Sequence, residues 1–78
     1  MKLNENLKSL LTLFAKHAPT GAVLLDIIKR QDEYIVLYRH AANVCTPYII
    51  HHLTSNGLYY GRYYSDDKLA RMDFNEMR

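Results

Sequence analysis

The histidines and the cysteine are the residues of this chain that could ligate a metal. His51 and His52 are adjacent, and His40 and Cys45 precede them by a few positions. Adjacent residues of a strand point to opposite faces of a sheet, so His51 and His52 would not bind one metal ion together. We therefore expect neither a metal site nor a cofactor. The alternative is a site that combines Cys45 with His40 and one of the two adjacent histidines.

Four carboxylates lie close together near the carboxyl end of the sequence, at Asp66, Asp67, Asp73 and Glu76. Such a set could hold a metal or transfer protons. On a helix, however, neighbouring side chains diverge by about 100°, and acidic residues are favoured in the first turn, where the helix dipole is positive. The sequence also contains no serine, histidine and aspartate in the local context of a catalytic triad. We therefore expect that the protein is not an enzyme.

Length and composition indicate one small globular domain that spans residues 1–78. Hydrophobic residues make up 49% and charged residues 23% of the chain, which separates it from disordered proteins. The formal net charge of +2 is too small to imply a nucleic-acid partner. The apolar runs are far shorter than the ~20 residues of a membrane span, so we expect no membrane partner. The single cysteine, Cys45, is typical of a reducing compartment, and we expect the protein in the cytoplasm.

Hydrophobic periodicity predicts a helix near each end of the chain. The first helix should end near His17, because a proline and a glycine follow. Its apolar residues are Leu3, Leu7, Leu10, Leu11 and Phe14. The second helix should begin after Ser65 or Asp66, either of which can cap it. Its apolar residues are Leu69, Ala70, Phe74 and Met77.

Between the helices, the sequence predicts four antiparallel strands. The segments are "AVLLDIIKR", "YIVLYRH", "YIIHHLT" and "LYYGRYY". A helix through Leu24 to Lys29 is an alternative to the first strand, because short apolar runs fit both periods. We predict an α+β fold with an N-terminal helix, a four-stranded antiparallel meander and a C-terminal helix, and we place both helices on one face of the sheet.

Asn56-Gly57 predicts a tight hairpin between the third and fourth strands. If these two residues form the turn, Ser55 pairs with Leu58, and the other cross-strand neighbours follow by counting. That register puts five residues on one face, namely Tyr48, Ile50, His52, Tyr59 and Tyr63. Gly61 would leave a notch on the same face, opposite His52, which a partner's side chain or a base could enter.

The hairpin combines several tyrosines with an arginine. Tyrosine and arginine dominate the hot spots of protein interfaces, because each brings a large contact area and a polar tip. We therefore predict a partner-binding surface formed by Tyr48, His52, Tyr59, Arg62, Tyr63 and Tyr64. The alternative is that the tyrosines stabilise the sheet and bind no partner, since tyrosine is a good strand former whose hydroxyl stays in water.

The segment "TPYIIHHLTSNGLYYGRYYSDDKLARMDF" resembles the carboxyl half of a double-stranded-RNA-binding domain, in which a hairpin leads into a helix. The order of helix, strands and helix is similar too. The resemblance implies a small domain that binds RNA or DNA. In that family, lysines at the start of the last helix contact phosphates, and this chain has Asp66 and Asp67 at those positions.

The same segment also resembles small accessory proteins of phages and other mobile elements, through its "YYGRYYSD" strand and through Ala70, Asp73 and Phe74. This resemblance implies a non-enzymatic protein, in the cytoplasm of a bacterial host, that inhibits a host factor by masking a surface. The partner would be a host protein or a ribonucleoprotein complex, such as a CRISPR or other defence complex. The alternative function is nucleic-acid binding, and a homodimer through the open sheet face or edge stays open.

Overall fold

A four-stranded antiparallel sheet lies at the centre of the fold, in the strand order β1-β2-β3-β4. The computed structural model describes the backbone of residues 2–78 and the side chains of residues 7–78. The elements are α1 (Lys2–His17), β1 (Val23–Lys29), β2 (Tyr34–Arg39), β3 (Tyr48–Thr54), β4 (Gly57–Tyr64) and α2 (Asp67–Glu76). The predicted α+β fold with its meander is confirmed, and the segment that could have been a helix is strand β1.

The two helices lie on opposite faces of the sheet, because the buried residues form two separate clusters. The cluster under α1 contains Leu10, Phe14, Val36, Tyr38, Ile49 and Leu53. The cluster under α2 contains Ile35, Leu37, Ile50, Ala70 and Phe74. Successive residues of β2 alternate between the two clusters, as side chains of a strand must. The prediction that both helices share one face is therefore wrong.

Both helices bury a narrower stripe than their apolar pattern predicts. In α1, Leu10 and Phe14 are buried, whereas Leu7 and Leu11 are 47% and 45% exposed. In α2, Leu69 is likewise exposed. The start of α2 is fixed by Asp66, whose carboxylate accepts a hydrogen bond from the backbone N–H of Lys68 at 3.2 Å. This cap satisfies one of the free backbone donors of the first helical turn.

The turn between β3 and β4 is centred on Ser55 and Asn56, and Thr54 pairs with Gly57. The predicted turn through Asn56-Gly57, with Ser55 opposite Leu58, is therefore wrong. Gly57 still has a conformation that favours glycine, with φ of 137°, but it does so as the first residue of β4. The shift moves every cross-strand neighbour in this part of the hairpin.

Each edge strand carries a β-bulge. In β1 the register shifts between Leu24 and Asp26, so that Leu25 is the extra residue. In β4 the shift places both Tyr60 and Gly61 opposite His51. Tyr60 has a φ of 57°, which is uncommon for a residue with a bulky side chain. The bulge therefore changes the direction of the side chains of β4 and determines which of them form the candidate site.

Candidate binding surface on strand β4

Strand β4 lies at the edge of the sheet and exposes three tyrosine rings. The exposed fraction is 79% for Tyr60, 52% for Tyr63 and 44% for Tyr59. Arg62 is exposed as well. We call these four residues the β4 surface. The predicted contact set did not contain Tyr60, and its sequence context gives no signal of this exposure, which follows from the bulge.

Two of the predicted contact residues, Tyr48 and Tyr64, are half-buried and pack against the cluster under α2. They pair with each other across β3 and β4. The Tyr64 hydroxyl donates a hydrogen bond of 2.7 Å to the carboxylate of Asp73 in α2. Burial raises the pKa of Tyr64, and the hydrogen bond to Asp73 raises it further. These contacts hold α2 on the sheet.

The bulge divides the other predicted residues between the two faces. Tyr59 lies opposite His52 on the face that α2 covers, and Arg62 follows on that same face. Tyr63 lies on the face that α1 covers. The prediction that Tyr63 shares a face with Tyr59 and His52 is therefore wrong, because the extra residue of the bulge reverses the alternation beyond it.

The rings of His51 and Tyr63 occupy the space beside Gly61 that a side chain would need, so Gly61 does not form an open notch. A β-carbon at this position would lie 2.6 Å from Nε2 of His51 and 2.9 Å from the ring of Tyr63. The predicted notch opposite His52 is therefore wrong, since Gly61 lies opposite His51. Any larger residue at this position would have to displace the imidazole of His51 or the phenol of Tyr63.

We expect Gly61→Ala to destabilise the protein by about 1–3 kcal/mol, because the added methyl group must displace the ring of His51 or Tyr63. The free energy of unfolding from urea titration measures this cost. In a background that carries both His51→Ala and Tyr63→Ala these close contacts are absent, so the same substitution should cost much less. At an unhindered strand position, replacing glycine with alanine stabilises a protein by about 0.5–1 kcal/mol. A Gly61→Ala protein that is more stable than wild type would therefore contradict the close contact with His51 and Tyr63.

A row of aromatic side chains runs from the core under α1 to the edge of the sheet. Phe14 meets the ring of Tyr38 edge to face, with centroids 5.2 Å apart, and Tyr38 stacks on His51 at 5.8 Å. His51 in turn meets Tyr63 edge to face at 5.9 Å. A hydrogen bond of 3.0 Å joins the Tyr38 hydroxyl to Nδ1 of His51. Through His51 and Tyr38, the ring of Tyr63 at the edge is packed against residues that reach the core.

Burial changes the acidity of both members of this hydrogen bond. It raises the pKa of Tyr38 to about 12, and the charge of Tyr63 acts in the same direction. It lowers the pKa of His51, and the neighbouring charge of His52 adds to the effect. Tyr38 therefore keeps its proton and His51 is neutral, and in the tautomer of His51 that carries its proton on Nε2, the Tyr38 hydroxyl donates to Nδ1.

We expect the stability of the protein to fall as the pH drops below about 6.5, because the unfolded chain then binds a proton at His51 that the folded chain resists. The contribution of neutral His51 to the free energy of unfolding is fully present above a pH of about 6.5. It is lost as the pH falls towards the lowered pKa of His51 in the folded protein. Urea titrations at a series of pH values measure the decline. His51→Gln should reduce the decline, whereas His40→Gln should not, and equal slopes for all three proteins would contradict the assignment.

On the opposite face, the imidazole of His52 is hydrogen-bonded to the carboxylate of Glu33. Nδ1 of His52 lies 2.9 Å from Oε2 of Glu33, and both side chains are about a quarter exposed. The ring of Tyr60 meets His52 edge to face at a centroid distance of 5.4 Å. When Nδ1 carries the proton, Glu33 fixes the orientation of the imidazole and leaves Nε2 as an acceptor.

The residues considered for metal binding do not come together. His51 and His52 point to opposite faces of β3. Cys45 is exposed in the connection between β2 and β3. Within the part of the chain that the structure describes, no three side chains of histidine, cysteine, aspartate or glutamate are placed to hold one metal ion.

Neither helix, within residues 2–78, combines the length and the apolar character that crossing a membrane requires. A comparison of the chain with protein-family models, curated proteins and solved structures found no match.

Proposed function

We propose that this chain is a non-enzymatic binding protein that inhibits a bacterial host factor by masking a surface with strand β4. The observation that carries the proposal is the exposure of the three tyrosine rings, Tyr59, Tyr60 and Tyr63, beside Arg62 on an edge strand. Exposed large apolar groups in one patch are typical of interaction sites, whereas scattered ones are not.

The chemistry of the β4 surface supports a protein interface. Tyrosine rings supply a large contact area with few rotatable bonds, so little side-chain entropy is lost when a partner orders them. The support of Tyr63 by His51 reduces that loss further. Because β4 is at an edge, its rings on both faces are open to one partner that wraps around the strand.

The resemblance of the "YYGRYYSD" strand to accessory proteins of phages and mobile elements suggests the class of target. Such a protein would act in the cytoplasm of a bacterial host, on a protein or ribonucleoprotein complex of host defence. Inhibition by masking needs an exposed contact surface and no catalytic group, and the β4 surface supplies the first of these.

Phage plating tests the proposal. We expect that expression of the chain in bacteria with CRISPR immunity raises the plating efficiency of the targeted phage. The double substitution Tyr59→Ala and Tyr63→Ala should abolish the increase while the circular dichroism spectrum stays near that of wild type. Leu69→Ala, which removes an exposed apolar side chain of α2, is the matched control and should retain activity.

Two results would contradict this function. Wild-type chain that leaves plating unchanged, on CRISPR strains and on strains with restriction systems alike, argues against inhibition of host defence. A folded Tyr59→Ala and Tyr63→Ala protein with full activity argues against the β4 surface as the site. A low melting temperature of the double variant would show that these rings belong to the core.

The second candidate function is binding of single-stranded nucleic acid. It is favoured by one observation, the exposure of Arg62 among tyrosine rings on which bases could stack. Arg39 and Arg71 are the other cations that we propose for phosphate contacts. A salt titration separates the two functions, since affinity for nucleic acid falls steeply with salt, whereas a tyrosine-centred protein interface changes little.

A further inference from the structure

We infer that the partner of this surface inserts a cationic side chain, arginine or lysine, into the corner formed by Glu33, His52, Tyr59 and Tyr60. We call these four residues the hairpin corner. The inference rests on the proposed function and specifies the partner's chemistry at one part of the same surface. Three features of the corner support it: the bulge, the second carboxylate oxygen of Glu33 and the charge.

The bulge brings two neighbouring rings to the same side of β4. Adjacent residues of a regular strand point to opposite faces. Tyr59 pairs with His52, and the ring of Tyr60 also contacts His52, because Tyr60 adopts a positive φ of 57°. The two tyrosine centroids are 6.4 Å apart and the rings are tilted by 49°. The pair forms two walls that meet at an angle.

Tyr60 keeps an unfavourable backbone conformation and a ring that is 79% exposed. A strained residue is retained where the surrounding structure or a function requires it. The exposed ring makes few packing contacts that would compensate for the strain. We therefore assign the ring to contact with a partner.

The corner also contains a carboxylate with capacity left for a ligand. Oε2 of Glu33 bonds to His52 at 2.9 Å, and within residues 7–78 no side chain donates to Oε1. The carboxylate is about a quarter exposed. A guanidinium or ammonium group could therefore bond to Oε1 while it lies against the faces of Tyr59 and Tyr60.

Charge decides between a cation and a phosphate at this corner. The carboxylate of Glu33 attracts a cation and repels the backbone of a nucleic acid. Arg62 lies on the same face beyond the bulge, opposite Ile50, and so marks the edge of the corner. The hairpin corner thus favours a basic residue of a protein over a nucleotide.

Nuclear magnetic resonance with small probes tests this inference. The probes are blocked arginine, its uncharged analogue blocked citrulline and a short oligothymidylate, each titrated at constant ionic strength. We expect blocked arginine to shift the ring signals of Tyr59 and Tyr60, with those of Tyr63 on the other face unchanged. Blocked citrulline should bind severalfold more weakly.

Glu33→Gln keeps the size of the side chain and removes its charge, so it should weaken the binding of blocked arginine severalfold. Leu69→Ala, which removes an exposed apolar side chain outside the β4 surface, is the control and should not change it. Equal binding of arginine and citrulline, or shifts at Tyr63 in place of Tyr59 and Tyr60, would overturn the inference. So would oligothymidylate that shifts the ring signals of Tyr59 and Tyr60 in the wild-type protein more strongly than blocked arginine does, because that result assigns the corner to nucleic acid.

The outcomes separate this inference from the proposed function. If arginine fails to bind but the chain still raises phage plating through Tyr59 and Tyr63, only the cation site is wrong. If arginine binds as expected but plating never changes, the cation site stands and the proposal on host defence fails.

Discussion

Phe74→Ala should destabilise the protein by about 3–5 kcal/mol, because Phe74 is fully buried in the cluster under α2 and its removal leaves a cavity. The stability of a small domain is about 5–15 kcal/mol, so the variant is expected to lie near its unfolding midpoint or to be unfolded. Urea titration followed by circular dichroism measures the change. Stabilisation with a protecting osmolyte keeps the measurement feasible if the variant is unfolded in buffer.

Met72→Ala is the matched control for Phe74→Ala. Met72 lies in the same helix and is 56% exposed, so its truncation should change the free energy of unfolding by less than about 1 kcal/mol. Similar costs for the two substitutions would show that α2 does not pack on the sheet through Phe74.

Leu10→Ala should have the second large effect, about 2–5 kcal/mol, because Leu10 is 4% exposed in the cluster under α1. Leu11→Ala is an unusually close control. It makes the same substitution at the next position of the same helix, where the side chain is 45% exposed. The helix propensity changes equally in both variants, so the difference between them measures burial alone.

If Leu11→Ala destabilises the protein as much as Leu10→Ala, α1 is rotated relative to the described packing. A large cost for Leu10→Ala together with a large cost for Phe74→Ala would support two separate clusters, one on each face.

The secondary structure was largely predictable from the sequence because its signals are local. The helix periodicity, the proline and glycine after His17 and the cap at Asp66 each involve a few neighbouring residues. The strand character of β1 follows from branched side chains between turns. These signals do not depend on which helices and strands pack against each other.

The placement of the helices was harder to predict, although one signal was present. The central run Ile35, Val36 and Leu37 is continuously apolar, which is typical of a strand buried on both faces. A sheet with both helices on one face would have left Val36 or its neighbours in water. That reading of β2 would have placed one helix on each face.

The register of the β3–β4 hairpin, and with it the candidate site, could not be predicted from sequence. Asn56-Gly57 fits the preferred two-residue turn, yet the turn is centred one residue earlier. The bulge at Tyr60 then shifts the pairing again, and it places Tyr60 beside His52 and Gly61 beside His51. Those contacts are made between strands, so no pattern within β4 reveals them.

The bulges in β1 and β4 also affect how the protein behaves at high concentration. A tyrosine-rich strand at a sheet edge is the kind of segment that recruits further strands and starts a fibril. In β1 and β4 the extra residue interrupts the row of backbone donors and acceptors and increases the local twist. A strand from another copy cannot pair along the full length of either edge. The same distortion that turns Tyr60 outward therefore lets the chain display its rings without continuous polymerisation of the sheet.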